Sequence, residues 1–334
     1  MTIILTGAAG FIGFHVARSL LDRGEVIVGI DNLNPYYEVS LKQSRLDLLN
    51  NSKNFIFQHM DVANIDEVNN LFEKHQAEKV IHLAAQAGVR YSLINPVAYV
   101  NSNLMGFTNI LEACRHKNTE HLVYASSSSV YGANTKVPFS EDDTADHPVS
   151  FYGATKRANE LMAYSYSYLY SLPTTGIRFF TVYGPYGRPD MSYFKFVKNI
   201  INDEAIDVFN KGRQSRDFTY IDDIVDGVIK ALDGKPVGAK SSLKNPGDNL
   251  PAFNIYNMGS NKPVDLMDYI SILEQIIGKK AKLNLLEEQP GDMTFTYADI
   301  EKARKQLDFN PATSIEQGLE SFVGWFREYY GVSV

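Results

Sequence analysis

The sequence predicts an α/β fold, a doubly wound parallel sheet with a smaller interleaved α/β domain toward the C-terminus, on three observations. Short β-rich apolar runs alternate with helical patterns through the first half. Those runs are strongly apolar, and the regular alternation loosens from about Thr181. Strands alternating with helices imply βαβ crossovers and parallel pairing. Strands this apolar are the kind covered on both faces.

The elements follow in order. TIILT precedes the helical FIGFHVARSLLDRG; VIVGID precedes a tyrosine-containing insert and the helical LKQSRLDLLN. NFIFQHMD, the helical IDEVNNLFEKH and KVIHLAA come next, then a long helix from about Pro96 to Lys117 and the strand HLVYASS. A loop around Pro138 to Pro148 leads to a helix near Phe151 to Tyr170 and the strand TTGIRFF. Beyond it lie scattered short strands, a Gly/Pro-rich stretch near Lys235 to Pro251, and helices near Asp265 to Ile277 and Ser314 to Tyr330. Residues 1–180 therefore read as one domain. Residues 181–334 read mainly as a second, over the carboxyl edge of the sheet where ligands of open α/β sheets bind, with some segments returning to that sheet.

Composition narrows the function. With 44% hydrophobic and 21% charged residues over 334, the chain has the makeup of a globular enzyme and can bury a large core. A net charge of -7 argues against nucleic acid or an anionic membrane as a partner, so an anionic substrate needs a local basic cluster. The one cysteine, Cys114, excludes an intrachain disulfide and sits in a helical pattern with Ile110 and Leu111 as a packing residue. No apolar run reaches the roughly 18 residues of a membrane helix, and from the apolar strand at its start no signal peptide is expected. A cytoplasmic protein is expected, and no metal-ligand spacing is present.

LTGAAGFIG places Gly7, Gly10 and Gly13 directly between a strand and a helix. In that context a glycine triplet allows a tight turn, close approach of a pyrophosphate and helix–strand packing, with the helix N-terminus facing the phosphates. Phe11 and Ile12 complete this cofactor loop. Asp31 ends the second strand, 18 residues beyond Gly13, where a carboxylate accepts from ribose hydroxyls and repels a 2′-phosphate. The fold expected is thus of Rossmann type and the cofactor NAD. Asn32 follows Asp31. Asp61 and Val62, at the end of the third strand, reach the adenine position or cap the strand. Leu83, Ala84 and Ala85 let the backbone pass close to the cofactor.

Tyr152 and Lys156 form a YxxxK pair, four apart and so on one helix face. A tyrosine with a pKa near ~10 is a poor base at neutral pH. A neighbouring ammonium and a positive nicotinamide ring both favour the phenolate. Lys156 can also bond the nicotinamide ribose.

These motifs, with YASSSSVYG, RFFTVYGP, SRDFTYIDD and QPGD, resemble the extended short-chain dehydrogenases/reductases of the NAD-dependent sugar-nucleotide epimerase/dehydratase family over nearly the whole chain. The resemblance implies that Ser127 bonds the sugar hydroxyl beside Tyr152, that Phe179 packs near the nicotinamide, that Arg216 binds the substrate diphosphate, and that Asp292 lies near the nucleotide. Family dehydratases carry an acidic pair where this chain has Ser128 and Ser129, and decarboxylating relatives a glutamate at Ser129. With neither acid, return of the hydride after rotation of the 4-keto sugar is the implied outcome, a C4 epimerisation.

Thr181, Arg188, Arg90 and the insert NPYYEVSLKQSR resemble the bacterial UDP-glucuronate 4-epimerase group, in which hydroxyls and an arginine suit a C6 carboxylate. The substrate pair implied is UDP-glucuronate and UDP-galacturonate. Arg188 also reads as a diphosphate or surface contact, and Arg90 as a loop-anchoring ion pair. The alternatives are a UDP-glucose or UDP-N-acetylglucosamine 4-epimerase, or a non-catalytic NAD-binding regulator. The helices around Asn103 to Arg115 and Asn159 to Tyr170 resemble those that pair in family homodimers; tyrosines 164, 166, 168 and 170 equally suit packing within one chain.

Overall fold

The computed structural model describes residues 1–238, 250–288 and 293–332. Its strands in chain order are β1 (Thr2–Thr6), β2 (Val26–Asp31), β3 (Phe55–His59), β4 (Lys79–His82), β5 (His121–Ser127), β6 (Thr174–Phe179), β7 (Thr181–Tyr183), β8 (Ala205–Val208), β9 (Ser215–Tyr220), β10 (Phe253–Met258), β11 (Pro263–Asp265) and β12 (Lys282–Leu285). The helices are α1 (Phe11–Asp22), α2 (Val39–Leu49), α3 (Ile65–Lys74), α4 (Tyr91–Ile94), α5 (Pro96–Tyr99), α6 (Gly106–His116), α7 (Phe151–Tyr170), α8 (Ser192–Ile201), α9 (Ile221–Asp233), α10 (Leu266–Ile277), α11 (Glu301–Leu307) and α12 (Ile315–Tyr330).

Seven strands form one parallel sheet in the order β10-β6-β5-β4-β1-β2-β3. The order reverses between β1 and β4, and the crevice at such a reversal is where open α/β sheets bind ligands. Strand β10 comes from the second half of the chain and closes one edge against β6. Two smaller sheets, β11-β9-β7 and β12-β8, lie outside the main one.

Alternation along each strand sends successive side chains to opposite faces. Ile3 and Leu5 of β1 pack with Phe14, Val16 and Leu20 of α1, while Ile4 packs on the other face with Val68 and Leu71 of α3 and Ile110 and Cys114 of α6. Both faces are covered, which is why these strands carry no polar alternation. The α1 face continues without a break into Val228 of α9 and Phe322 of α12, so the second half shares this core. Full burial of each such side chain is worth roughly 1.5–3 kcal/mol.

Two expectations differ from the structure. The helix expected from Pro96 to Lys117 is α5 and α6 joined by a π-helical turn over Val100–Met105. That turn points Asn103 inward, where its side chain donates to Gln86 O and Thr155 Oγ1 and accepts from Gln86 N. After Thr181, three helices (α8, α9 and α11) join the scattered strands; in α9, Ile221, Ile224, Val225 and Val228 recur at helical spacing and are buried. Most of the Gly/Pro-rich stretch lies outside the described residues. Among the described residues no helix is long and apolar enough to cross a membrane, and no group of three metal-ligating side chains occurs.

Candidate active site

A cavity of about 710 Å³ runs along the carboxyl ends of the strands, from Asp31 and Asp61 past the glycine loop to Tyr152 and on to Arg216. It gathers Gly7, Gly10, Phe11, Ile12, Gly13, Asp31, Asn32, Asp61, Val62, Leu83, Ala84, Ala85, Phe179, Ser127, Ser128, Ser129, Tyr152, Lys156, Thr181, Arg90, Arg188 and Arg216 into one wall. Asp292 lies outside the described residues.

The glycine loop is built by close approach. Gly7 has φ +75°, and a Cβ there would lie 2.8 Å from Ala84 N; a Cβ on Gly13 would lie 2.1 Å from Gly7 O. The second distance means that Gly13 spares the loop carbonyl rather than the strand. Gly10 stands at the N-cap of α1 and offers no side-chain cap, so the first-turn amides and positive dipole end of the helix face the cavity. This suits a pyrophosphate.

Asp31 is 7% exposed, and its Oδ1 accepts from Leu33 N at 2.9 Å. Lys42 Nζ stands 3.4 Å from the same oxygen. Oδ2 has no donor among the described residues and can accept from a ribose hydroxyl. Lys42 went unnoticed in the sequence because it is eleven residues on; a turn of α2 brings it back. Asp61 lies two residues past the end of β3, not at its last residue. Its oxygens hold Ala63 N and Asn32 Nδ2, each at 2.9 Å, so it braces this loop pair as well as lining the cavity. The donor set therefore fits a dinucleotide.

Helix α7 presents the YxxxK pair. Ser150 caps it by accepting from Gly153 N at 3.0 Å, which places Tyr152 in the first turn and Lys156 one turn on. Behind the pair, Glu160 accepts from Ser126 of β5 at 2.6 Å and from Arg178 of β6 at 2.8 and 2.9 Å. This buried clamp ties together the three elements that carry Ser127, Tyr152 and Phe179. Ser127 Oγ donates to Ser129 Oγ and accepts from Ser129 N, both at 3.2 Å, so the serine run folds back into a tight turn.

The electrostatics of Tyr152 differ from the expectation. Burial pushes its phenol above the ordinary value, and the Ser127 hydroxyl and the Arg188 guanidinium pull it back. Arg188 is a cation that the sequence reading did not place beside this phenol. Burial drives the Lys156 ammonium onto the nearest acceptor, Ala125 O at 2.9 Å, and lowers its pKa to about 8.

Beyond Tyr152 in the cavity wall, Arg188 pairs with Asp190, whose Oδ1 lies 3.0 Å from Arg188 Nε. The Arg90 guanidinium lies 4.2 Å over the Phe209 ring. Tyr36, Lys42, Ser102, Asp190, Asn199 and Phe209 line the cavity without having been anticipated. The tyrosine-rich insert was visible as a segment, but its contact with Asp190 was not. Asn199 and Phe209 carry no motif.

A family model described as the NAD dependent epimerase/dehydratase family matches residues 3–245. The chain is 50% identical to Protein CapI of Staphylococcus aureus, over 99% of each chain. It is 47% identical to UDP-glucuronate 4-epimerase 2 of Arabidopsis thaliana, over 99% of this chain and 76% of that one. The crystal structure of UDP-glucuronic acid 4-epimerase from Bacillus cereus, in complex with UDP-glucuronic acid and NAD, superposes with a TM-score of 0.89 at 36% identity, covering 99% of this chain and 100% of that one.

Proposed function

The chain belongs to the NAD-dependent epimerase/dehydratase family, and from that premise we propose that it is an enzyme interconverting UDP-glucuronate and UDP-galacturonate. The observation that carries the sugar is Arg188, open to the cavity beside Tyr152 in a wall shared with Ser128, Ser129 and Thr181. Strong donors of this kind replace the water that a C6 carboxylate loses on entering a closed pocket. Similarity to two UDP-glucuronate 4-epimerases supports the same reading.

Bound NAD supplies the acceptor and donor of the C4 hydride, with no net redox change. Gly7, Gly10 and the N-terminus of α1 hold its pyrophosphate, Asp31 its adenosine ribose and Lys156 its nicotinamide ribose, while Phe179 backs the ring. Tyr152 takes the proton of the C4 hydroxyl and gives it back after the ring has turned, with Ser127 holding that oxygen throughout. Arg216, in the cavity wall, holds the nucleotide end. Residues 1–180 thus serve mainly the cofactor and 181–334 mainly the sugar nucleotide.

With serines at 128 and 129 the site has no acid there to expel water or release carbon dioxide. Incubation with UDP-glucuronate therefore yields UDP-galacturonate and no pentose, read by chromatography with mass spectrometry. A major UDP-pentose product would overturn the epimerase reading. Turnover of UDP-glucose alone would move the assignment to a neutral-sugar epimerase.

The enzyme works as a homodimer in the cytoplasm on this reading. Leu161, Tyr164 and Tyr168 of α7 share one exposed face, and Val97, Val100 and Met105 are exposed on the neighbouring helical stretch. Exposed apolar side chains gathered on one helix face suit an interface. Leu161→Glu yields a monomer in sedimentation at micromolar concentration where the unaltered chain is a dimer. A monomeric unaltered chain would refute the arrangement. The cytoplasmic setting agrees with a lone, buried Cys114.

A further inference from the structure

A guanidinium offers a carboxylate two matching edges, a side edge that includes Nε and an end edge of Nη1 and Nη2. Asp190 occupies the side edge of Arg188. Its Oδ1 accepts from Nε at 3.0 Å and its Oδ2 from Nη2. The Tyr36 hydroxyl, from the insert after β2, donates to the same Oδ2 at 3.3 Å. Tyr36 is itself packed on Tyr91 of α4, with ring centroids 4.8 Å apart. Arg188 and Asp190 are 21% and 20% exposed, and both line the cavity. Nη1 of Arg188 has no acceptor among the described residues.

The pair therefore leaves the end edge of Arg188 free for an incoming carboxylate but changes the charge that carboxylate meets. It meets a neutral ion pair rather than a bare cation. Epimerisation at C4 has to present both faces of the sugar ring to one hydride position, so substituents of the ring, the C6 carboxylate among them, exchange contacts partway. A grip that is equally strong in both end states lowers KM without helping the step between them, and it opposes that step if it must be released.

We propose that Asp190, held by Tyr36, is a positioning residue that tempers the hold of Arg188 on the sugar carboxylate so that the oxidised sugar can turn over in the pocket. This rests on the glucuronate reading above. The insert after β2 is then part of the sugar site through a contact made at Asp190, well away from the ribose-binding Asp31 that precedes it in sequence.

The test compares the unaltered enzyme with Asp190→Asn and Tyr36→Phe, using UDP-glucuronate and UDP-glucose as probes. Asparagine keeps the shape of the side chain and removes its charge. Asp190→Asn is expected to bind UDP-glucuronate about tenfold more tightly by calorimetry and to turn over about tenfold more slowly, each tenfold being one 1.36 kcal/mol step. The absorbance of reduced nicotinamide during turnover rises, because the oxidised sugar waits longer before reduction. Binding of UDP-glucose changes by less than about twofold, since it has no carboxylate for the unmasked cation to attract. Tyr36→Phe moves the same three readouts in the same directions by less. A purely structural brace would weaken binding of both sugars and leave the reduced-cofactor signal unchanged, and either result overturns the proposal. If the unaltered enzyme epimerises UDP-glucuronate and both variants match it, this inference fails alone. If it leaves UDP-glucuronate untouched, the glucuronate reading fails and takes this inference with it.

Discussion

Replacement of Tyr152 by phenylalanine is expected to lower kcat by about 10²–10⁴-fold, the range usual for loss of a general base, while the protein keeps its fold and its NAD. The ring stays because its surroundings recognise a ring: Tyr99 meets it edge-on with centroids 6.1 Å apart, and phenylalanine fills the same space. What is lost is the oxygen that accepts the proton. The neighbours that pull the phenol down against its burial, Ser127 and Arg188, then act on nothing. Turnover is measured with UDP-glucuronate, and the nucleotide released on denaturation is assayed in parallel. Retention of activity within about threefold of the unaltered enzyme would remove Tyr152 from the base role. Loss of NAD together with activity would assign it to cofactor binding instead.

Arg188→Ala is expected to lower kcat/KM for UDP-glucuronate by about a hundredfold. A hydrogen bond to a charged group is worth roughly 1.5–3 kcal/mol, which at 1.36 kcal/mol per tenfold spans about ten- to 150-fold. The structure pushes the effect toward the upper end. Asp190 remains in the wall without its partner guanidinium, and its carboxylate faces the sugar carboxylate alone. A like charge in a low-dielectric pocket opposes binding. The double variant Arg188→Ala/Asp190→Asn therefore recovers part of the loss. UDP-glucose, lacking the carboxylate, is affected far less by either change. Equal damage to both sugars would mean that Arg188 holds the diphosphate or the local fold.

The glycine loop was legible because its neighbours in sequence are also its neighbours in space: strand, turn and helix are consecutive, and Gly7, Gly10 and Gly13 act on one another. Asp31 was legible because the end of a strand after that helix has a fixed place relative to the loop. Tyr152 and Lys156 were legible as a pair because a helix puts residues four apart on one face. The direction of Lys156 was not, because the nearest acceptor, Ala125 O, belongs to a strand 31 residues earlier. The π-helical turn in the expected Pro96–Lys117 helix escaped for the same reason: it serves Asn103, whose partners Gln86 and Thr155 lie on two other segments.

The sequence by itself determined the parallel α/β architecture, the dinucleotide loop and the tyrosine–lysine pair, since each depends on periodicity or spacing within one short stretch. Tertiary structure alone decided which charges face which. It placed Lys42 against Asp31, brought Arg188 into the field of Tyr152, and set Asp190 and Tyr36 on that arginine in the cavity wall. Tyr36 and Asp190 are 154 residues apart in the chain. Coulombic and hydrogen-bond energies depend on separation in space, and spacing along the chain cannot report that separation once it is set by packing between distant elements.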